Sequence, residues 1–487
     1  MEHILFLTGR LAEKSLIRMM ESIQAEEFSY EIHNLPITVA ALMTTEKILR
    51  RLDNTRNADR IIVPGFCIGD IEEASRKLGV PVERGPKDLK DLPVFFGRGP
   101  QPADLSQYDA RIFAEIVDAP NLSVEKILEA AAAYRADGAD VIDVGCLPDT
   151  DFPHLEDSVK ALVDNGYTVS VDSIDPHQLL KGAHAGAQYL LSLKESTLWV
   201  ASEVEATPIL IPEQPEEMAS LYRSIDILLD QGKSFIADSI IDPIHFGFVR
   251  SIVRYQELRK AYPDIEIMMG IGNLSELTEV DTGGINTIML GMMSELRIGN
   301  LLTTQVSPHA KRSVAELDLG RRIMFRSRED ISFPKGYHTG LMSLHERDPF
   351  PNSYEEVKEL SEQIKDSNFR IQVTADGVHI FNGDGLFTGT DPYELFKNLS
   401  SLNDNAPHAY YIGLELGRAQ IAWQLGKRYT QDEELDWGCA YRSEDDNNHG
   451  PRLHHKEEKS TMQARKKQRR ENRAKNTKQG CDDTTSE

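Results

Sequence analysis

Residues 139–146 (ADVIDVGC) and 168–173 (TVSVDS) form the stretch that decides the fold. Each is a short run rich in β-branched residues and bounded by turn signals, which is typical of a buried strand. Asp143 lies inside the first run, where a carboxylate is costly to bury unless something binds it. Asp172 ends the second run, where α/β sheets and barrels place ligand-binding groups. The alternative for Asp172 is structural, because residues 173–176 (SIDP) also indicate a helix start, which Asp172 could cap.

Strands alternate regularly with helices on both sides of this stretch. Predicted strands cover residues 112–118, 141–145, 168–172, 189–193, 208–211, 234–241, 266–270 and 285–290. A helix is predicted after each strand, and eight such units in roughly 200 residues are typical of a (β/α)8 TIM barrel. We place this barrel at residues 109–325. An open doubly wound sheet is the alternative, although such sheets rarely contain eight uniform repeats.

Residues 1–100 also alternate between strands and helices, which predicts a smaller α/β domain with a parallel sheet. Glycine-containing segments at its predicted strand ends, where such sheets bind ligands, are residues 8–10, 64–67 and 97–99. None of them matches a dinucleotide-binding or P-loop motif. A structural role for these glycines is at least as well supported as phosphate contact.

The C-terminal part of the chain has a different pattern. Residues 326–440 predict a helical connection followed by a small α+β domain, with a β-hairpin at 369–389 and a helix at 408–425. We expect the aromatic and leucine stripe of that helix to be core. Residues 441–487 are polar and charged and predict a disordered tail. Contact of the basic segment 459–475 with RNA or another polyanion is the alternative.

Charge and cysteine content exclude several classes of function. The 487-residue chain has a formal net charge of −24, and residues 1–440 alone carry −27, which argues against general nucleic-acid binding by the folded part. The four cysteines are widely spaced and suggest neither a disulfide framework nor a zinc site. No signal-peptide pattern or long apolar run is present, so we expect a cytoplasmic protein without membrane contact.

Polar residues cluster at the predicted carboxyl ends of the barrel strands, where TIM barrels bind their ligands. The candidate substrate-binding residues are Glu115, Asp118, Asp143, Asp172, Asp242 and Asn273. Carboxylates accept paired hydrogen bonds from an amino-pyrimidine edge, and an amide suits a ring nitrogen, so a flat heterocycle with several N–H donors fits this set. A divalent cation held by oxygen ligands is the alternative. No residue is assigned as a metal ligand from the sequence.

Four segments within residues 112–305 resemble motifs of a known group of proteins. They are GADVIDVGC at 138–146, VSVDSIDP at 169–176, IIDPIHFG at 240–247 and GIGNLSEL at 270–277. Their order and spacing resemble the pterin-binding barrels, which comprise dihydropteroate synthases and tetrahydropterin-dependent methyltransferases. The similarity is greatest to three-part dihydropteroate synthase-related proteins associated with tetrahydromethanopterin-linked one-carbon metabolism. The resemblance implies that Asp172 and Asp242 bind the pterin ring, and the fourth segment is similar to the methyltransferase form.

Other positions depart from the synthase pattern. The asparagine that helps hold magnesium and diphosphate after the first strand is absent from residues 117–121 (VDAPN), and Ser192 stands where the family usually has asparagine. Asn273 and Leu274 replace the cationic pair after the seventh strand. A diphosphate leaving group needs cations or magnesium. The nearest basic substitutes are Lys194, Arg250 and the run at 309–312 (HAKR).

The resemblance implies three functions. The first is a dihydropteroate synthase-type transferase that joins a hydroxymethyl-dihydropterin diphosphate to an arylamine, with Mg²⁺ as its implied cofactor and the pterin as substrate. The second is a methyl or other one-carbon transferase that uses a reduced pterin as cofactor, with Asn273 on the ring nitrogen. The third is a non-catalytic pterin-binding or scaffold protein. Pterin-binding barrels often dimerise, so a homodimer is expected by resemblance. The remaining alternative is a barrel whose acids only cap helices.

Overall fold

A computed structural model describes residues 1–23, 28–87, 89–97, 103–148, 150–402 and 405–441 of the chain. These residues form three sheets, each packed with its own helices. The tail predicted to be disordered lies outside the described residues, apart from Tyr441. No described helix has the length and apolar composition needed to cross a membrane.

The first sheet forms the N-terminal α/β unit. Its strands are β1 (Glu2–Thr8), β2 (Phe28–Asn34), β3 (Arg60–Val63) and β4 (Val82–Arg84). Its helices are α1 (Glu13–Ile23), α2 (Thr45–Arg51), α3 (Ile71–Leu78) and α4 (Leu92–Phe95). The strand order is β2-β1-β3-β4, and every pair is parallel, as predicted for an alternating β/α segment.

The second sheet is a closed barrel of eight parallel strands, which confirms the predicted TIM-barrel fold. The strands are β5 (Arg111–Ile116), β6 (Val141–Gly145), β7 (Thr168–Asp172), β8 (Tyr189–Leu193), β9 (Thr207–Leu210), β10 (Ile236–Ala237), β11 (Glu266–Gly270) and β12 (Asn300–Thr303). Each strand pairs with the next in the chain, and β12 pairs with β5 to close the barrel. The carboxyl ends of all eight strands therefore meet at one mouth.

Helices surround the barrel and bury their apolar faces against the outer surface of the strands. They are α5 (Val124–Asp137), α6 (Leu155–Asp164), α7 (Pro176–His184), α8 (Val200–Glu203), α9 (Met218–Asp230), α10 (Phe248–Ala261), α11 (Gly272–Ser275), α12 (Thr282–Leu296) and α13 (Ser313–Glu329). Arg321 of α13 is 2% exposed and pairs with both Asp140 and Asp318. This arginine attaches the last helix to the start of β6.

The predicted eighth strand at 285–290 is wrong, because these residues lie inside α12. The true eighth strand is β12, which pairs with β5 and β11. A short apolar run does not by itself distinguish a strand from a buried helix. Thr282, Asn286, Met289 and Met293 are buried at helical spacing, so one face of α12 packs inward.

Side chains that point into the barrel form layers between its two ends. At the amino end, Arg111 donates to Asn300 Oδ1 at 2.9 Å and to Tyr189 Oη at 2.8 Å, and it pairs with Glu266. The next layer is apolar and consists of Phe113, Val141, Leu191, Ile209, Ile236 and Met268. Among the described residues, these two layers fill the interior on that side and leave the polar positions at the carboxyl end.

The third sheet forms the C-terminal unit. It contains the antiparallel strands β13 (Arg370–Thr374), β14 (Gly377–Asn382) and β15 (Gly385–Gly389), accompanied by helices α14 (Tyr354–Gln363), α15 (Pro392–Phe396) and α16 (Ala406–Leu425). Leu416 of α16 is buried in the core of this unit and Tyr411 and Trp423 pack against it. Tyr410 and Leu414 are exposed, so the predicted aromatic and leucine stripe is core only in part.

The N-terminal and C-terminal units contact each other. Leu11, in the loop after β1, packs against the buried side chains of Val357, Ile364 and Phe381. Lys87 also forms an ion pair with Glu433, with 2.6 Å between Nζ and Oε1. The glycine-containing segment 8–10 is therefore followed immediately by Leu11, a residue of the N-terminal unit that packs against the C-terminal unit.

Candidate functional site

Three carboxyl groups meet inside the mouth of the barrel. Glu115 of β5, Asp143 of β6 and Asp172 of β7 each have an oxygen within 4.8 Å of an oxygen of the other two. Glu115 and Asp143 are register partners, and Asp172 is the partner of Gly145, two residues further along β6. Since side chains on a strand alternate between its two faces, all three carboxyls point to the interior. We call these residues the carboxyl cluster.

Asp143 is the most deeply buried member of the carboxyl cluster. Its side chain has no exposed surface, and neither of its oxygens has a hydrogen-bond partner of normal geometry among the described residues. Ser170, the register partner of Asp143 on β7, is also fully buried, and its Oγ has no such partner in the described part of the chain. An unpaired buried polar group costs about 1–3 kcal/mol, so the gathering of these atoms at one place makes the interior of the mouth the candidate binding site.

Burial and mutual repulsion weaken the acidity of the cluster. Burial, followed by the charge of Asp143, raises the pKa of Glu115 to about 8. Burial raises the pKa of Asp143 to about 7, against an opposing effect of the Ser170 hydroxyl. The pKa of Asp172 is raised well above its usual value by burial and by the charges of Asp143 and Glu115. Without a ligand, the cluster therefore retains protons near neutral pH.

The structural alternative for Asp172 is wrong. Asp175, not Asp172, precedes helix α7, and its side chain accepts a hydrogen bond from the backbone N–H of His177 at 2.9 Å. Ser173 Oγ in turn accepts from the backbone N–H of Asp175 at 3.0 Å. The helix start is therefore complete without Asp172.

Asp242 and Asn273 lie at the same mouth but form a separate pair of contacts. Asp242 follows β10, and its Oδ2 accepts a hydrogen bond from the guanidinium of Arg254 at 2.9 Å. Asn273, in α11 after β11, donates from Nδ2 to the backbone oxygen of Ile241 at 2.9 Å. The amide of Asn273 is therefore attached to the segment that carries Asp242. The prediction that Asp172, Asp242 and Asn273 all contact one bound pterin ring stays a prediction.

Asp118, the remaining candidate, lies outside the carboxyl cluster. It is exposed and immediately precedes a short 3₁₀ helix at Ala119–Asn121, where its side chain makes no capping hydrogen bond. Its strand, β5, ends at Ile116, two residues earlier than predicted. Asp118 therefore follows the strand rather than belonging to it, and a ligand contact of Asp118 stays a prediction.

Two of the suggested diphosphate-binding cations form ion pairs within the protein. Arg250 pairs with Glu216 at 2.8 Å on the surface. Arg312 binds both oxygens of Asp137, at 2.8 and 2.7 Å. His309 of the same run contacts the backbone oxygen of Ser275 through Nε2 at 3.0 Å.

The resemblance implies a magnesium site in the segment after the first strand, residues 117–121. The position of the magnesium-binding amide is held by Val117, whose side chain offers no ligand atom. We therefore derive no step through a magnesium ion at that position.

Sequence reasoning missed Ser170 and Arg254. Ser170 lies two residues before Asp172, and the two-residue period of a strand places both on the inner face, which was a usable signal. Arg254 is 7% exposed and also donates to the backbone oxygens of Ser239 and Ile240. Nothing in the sequence distinguishes it from Arg250, one helical turn earlier, because only the fold turns one inward and the other outward.

The glycines of the N-terminal unit have structural explanations. A Cβ on Gly9 would lie 2.7 Å from the backbone nitrogen of Ala40, and one on Gly65 would lie 2.6 Å from the backbone oxygen of Pro86. Close backbone approach therefore requires glycine at both positions. Of the third segment, Gly97 is described, whereas residues 98 and 99 lie outside the described residues.

Gly145 makes room for Glu115, because an added Cβ would lie 2.6 Å from Glu115 Oε1. We expect Gly145→Ala to lower the free energy of unfolding by about 1–3 kcal/mol through overpacking. Gly270→Ala is the control, since a Cβ there meets no atom within 4 Å. Urea denaturation at pH 5, where the cluster is protonated, measures both variants. Equal stabilities would contradict the proposed packing of Glu115 over Gly145.

The fold and the cluster define a class of protein, a TIM barrel with an acidic mouth. The sequence profile of a family of unknown function (DUF6513) matches residues 2–87. The uncharacterized protein MJ0107 of Methanocaldococcus jannaschii is 25% identical over an alignment 524 positions long, gaps included, which covers 89% of this chain and 98% of that protein.

Solved structures similar to the barrel include several dihydropteroate synthases. The Yersinia pestis enzyme with a pterine–sulfa conjugate has 16% identity and a TM-score of 0.36, covering 47% of this chain and 95% of that one. The Xanthomonas albilineans enzyme in complex with 7,8-dihydropteroate has 15% identity and a TM-score of 0.36, and the match covers 47% of this chain and 95% of that one. The Thermus thermophilus enzyme in complex with 6HMPPP has 18% identity, a TM-score of 0.35 and coverages of 45% and 94%. This likeness concerns the fold alone.

Proposed function

We propose that this chain is a pterin-binding transferase of the dihydropteroate synthase type. The carboxyl cluster is the observation that carries the proposal, because it presents buried, unpaired oxygens at the open end of a barrel. A pterin offers several N–H donors along its amino-pyrimidine edge. Carboxylates in a low-dielectric site are the acceptors that suit such an edge.

Under this proposal, the reaction is a displacement at the methylene carbon of a hydroxymethyl-dihydropterin diphosphate. A bond forms between the arylamine nitrogen and this carbon, the bond from the carbon to the diphosphate oxygen breaks, and the nitrogen loses one proton. Asp172 and Asp242 hold the ring, and orientation of the two reactants supplies much of the rate enhancement. In a tetrahydromethanopterin-type pathway the arylamine would carry a ribosyl phosphate, which could account for the departures from the synthase pattern.

Substitution of the ring-binding acids tests the pocket. Asp172→Asn and Asp242→Asn are each expected to weaken binding of 7,8-dihydropterin by about 1.5–3 kcal/mol, the effect of losing a charged hydrogen bond. Glu125→Gln, at an exposed position in the first turn of α5, should leave the affinity unchanged. Isothermal titration calorimetry measures all three variants. Wild-type affinity in both aspartate variants would exclude this pocket as the pterin site.

A second candidate is a one-carbon transferase that uses a reduced pterin, and the position of Asn273 favours it. The hydrogen bond from Nδ2 to Ile241 fixes the amide, so its oxygen is directed elsewhere and can accept from a protonated ring nitrogen. The ion pairs of Arg250 and Arg312 also leave these two cations less suited to diphosphate.

Product analysis separates the two reactions. The synthase-type reaction releases diphosphate when pterin diphosphate and an arylamine are supplied together. Tight binding of a reduced pterin without diphosphate release from any arylamine would favour one-carbon transfer or a non-catalytic binding role.

A further inference from the structure

We propose that Glu115, Asp143 and Asp172 together bind one divalent cation that prefers oxygen ligands, such as Mg²⁺ or Mn²⁺, within the barrel mouth. This site differs from the one implied by the resemblance, whose ligand position is occupied by Val117. It does not depend on the proposed function, because cation binding can be measured without a pterin.

The spacing of the three carboxyls suits a single ion. Adjacent ligand oxygens of an octahedral Mg²⁺ lie about 3 Å apart and opposite ones about 4.2 Å apart, given metal–oxygen distances of about 2.1 Å. One oxygen of each cluster member already lies within 4.8 Å of the others, so small side-chain rotations suffice. The three carboxyls are carried by β5, β6 and β7. These strands pair with one another, so the hydrogen-bonded sheet fixes the backbone position of each carboxyl.

The depth of the site also fits a cation. Glu115, Asp143 and Ser170 occupy one layer of inward-pointing residues, and Asp172 lies in the next layer toward the mouth. An ion between these layers would contact oxygens from both. Ser170 Oγ, which is fully buried and has no hydrogen-bond partner among the described residues, lies at the inner side of this space.

Other buried acids of the barrel show that the chain normally supplies partners for such groups. Asp238 accepts hydrogen bonds from Tyr255 at 2.5 Å and from the backbone N–H of Ile240 at 2.7 Å. Glu316 accepts from Thr282 at 2.7 Å and from Asn286 at 2.8 Å. Among the described residues, Asp143 has only the hydroxyl of Ser170 beside it as a possible donor, which lowers its pKa but does not meet hydrogen-bond geometry with either carboxyl oxygen. The contrast indicates that Asp143 is paired by a bound group instead.

Cation binding also resolves the repulsion within the cluster. A bound divalent ion neutralises charge at a place where desolvation opposes ionisation. Each carboxylate has two oxygens, so an ion that takes one from each leaves the others free to accept N–H donors of a ring. Metal and pterin can therefore occupy the mouth together.

Direct titration of the full chain with Mn²⁺ and Mg²⁺ tests the proposal. Protein treated with EDTA and then freed of it should bind one Mn²⁺ per chain in calorimetry, and its melting temperature should rise with metal concentration. Glu115→Gln and Asp143→Asn should each weaken Mn²⁺ binding by at least about tenfold. Glu125→Gln, at an exposed position in the first turn of α5 and outside the cluster, should bind Mn²⁺ as the wild type does.

The amide variants remove charge from the cluster without changing its size, so they should fold in the absence of metal, which melting curves verify. The proposal is overturned if the wild-type chain shows no saturable Mn²⁺ or Mg²⁺ binding, in which case the cluster is held together by shared protons. It is equally overturned if both amide variants bind metal as the wild type does. Pterin affinity measured in EDTA remains a separate readout, so failure of the metal site and failure of the pterin site are distinguishable.

Discussion

Replacing Arg254 by methionine is expected to lower the free energy of unfolding by about 3 kcal/mol. The guanidinium forms a largely buried ion pair with Asp242, with the two side chains 9% and 17% exposed, and removal of one partner leaves an uncompensated charge. Arg254 also binds the backbone oxygen of Ile240, a β-branched residue held at a φ of 62°. Such backbone strain persists only where surrounding contacts enforce it. Loss of Arg254 should therefore also displace Asp242 and, under the proposed function, weaken the binding of 7,8-dihydropterin.

Arg250→Met provides a matched control on the same helix. Its ion pair with Glu216 joins two side chains that are 69% and 70% exposed, and such surface pairs contribute at most about 1 kcal/mol. Guanidinium denaturation of both variants measures the difference. If the two substitutions cost the same, Arg254 does not hold the Asp242 segment in place.

In the presence of a chelator, the free energy of unfolding is expected to fall as the pH rises from about 5 to about 8. The pKa of Asp143 is raised to about 7 and that of Glu115 to about 8, from 3.8 and 4.5 respectively. The folded chain therefore holds more protons than the unfolded chain over this interval, so its stability is greatest at low pH and is lost as these groups ionise. Each unit of pKa difference corresponds to about 1.4 kcal/mol, so the fall should reach several kcal/mol.

Glu115→Gln isolates the contribution of the cluster to this pH dependence. Removal of one carboxyl abolishes its own titration and its repulsion of Asp143 and Asp172, so the profile should flatten and the stability at pH 8 should rise. Burial raises the pKa of Asp238 to about 6. Its titration therefore contributes equally to the pH dependence of stability in the wild type and in Glu115→Gln. Glu125→Gln should leave the profile unchanged. A pH dependence of stability that is identical in wild type and Glu115→Gln would show that the pKa of Glu115 is not raised in the folded chain.

The barrel was largely predictable because its evidence is local. Each of β6, β7, β8 and β11 has the predicted bounds, since a short β-branched run between turn residues specifies a strand without reference to the rest of the chain. The prediction failed where local patterns are ambiguous. Residues 285–290 belong to an apolar helix but have the composition of a strand. The pairing of residues 300–303 with β5, which closes the barrel, shows that the helix assignment is the correct one.

The sequence by itself determined that acidic residues follow the strands of a β/α barrel, because strand period and chain order place them there. Only the tertiary structure decided which of them meet. Glu115 reaches Asp143 because β5 and β6 pair in a particular register and Gly145 leaves space, whereas Asp242 is paired by an arginine twelve residues away on a helix. Register, closure and the inward turn of one arginine rather than another depend on contacts between distant segments, and no local pattern encodes such contacts.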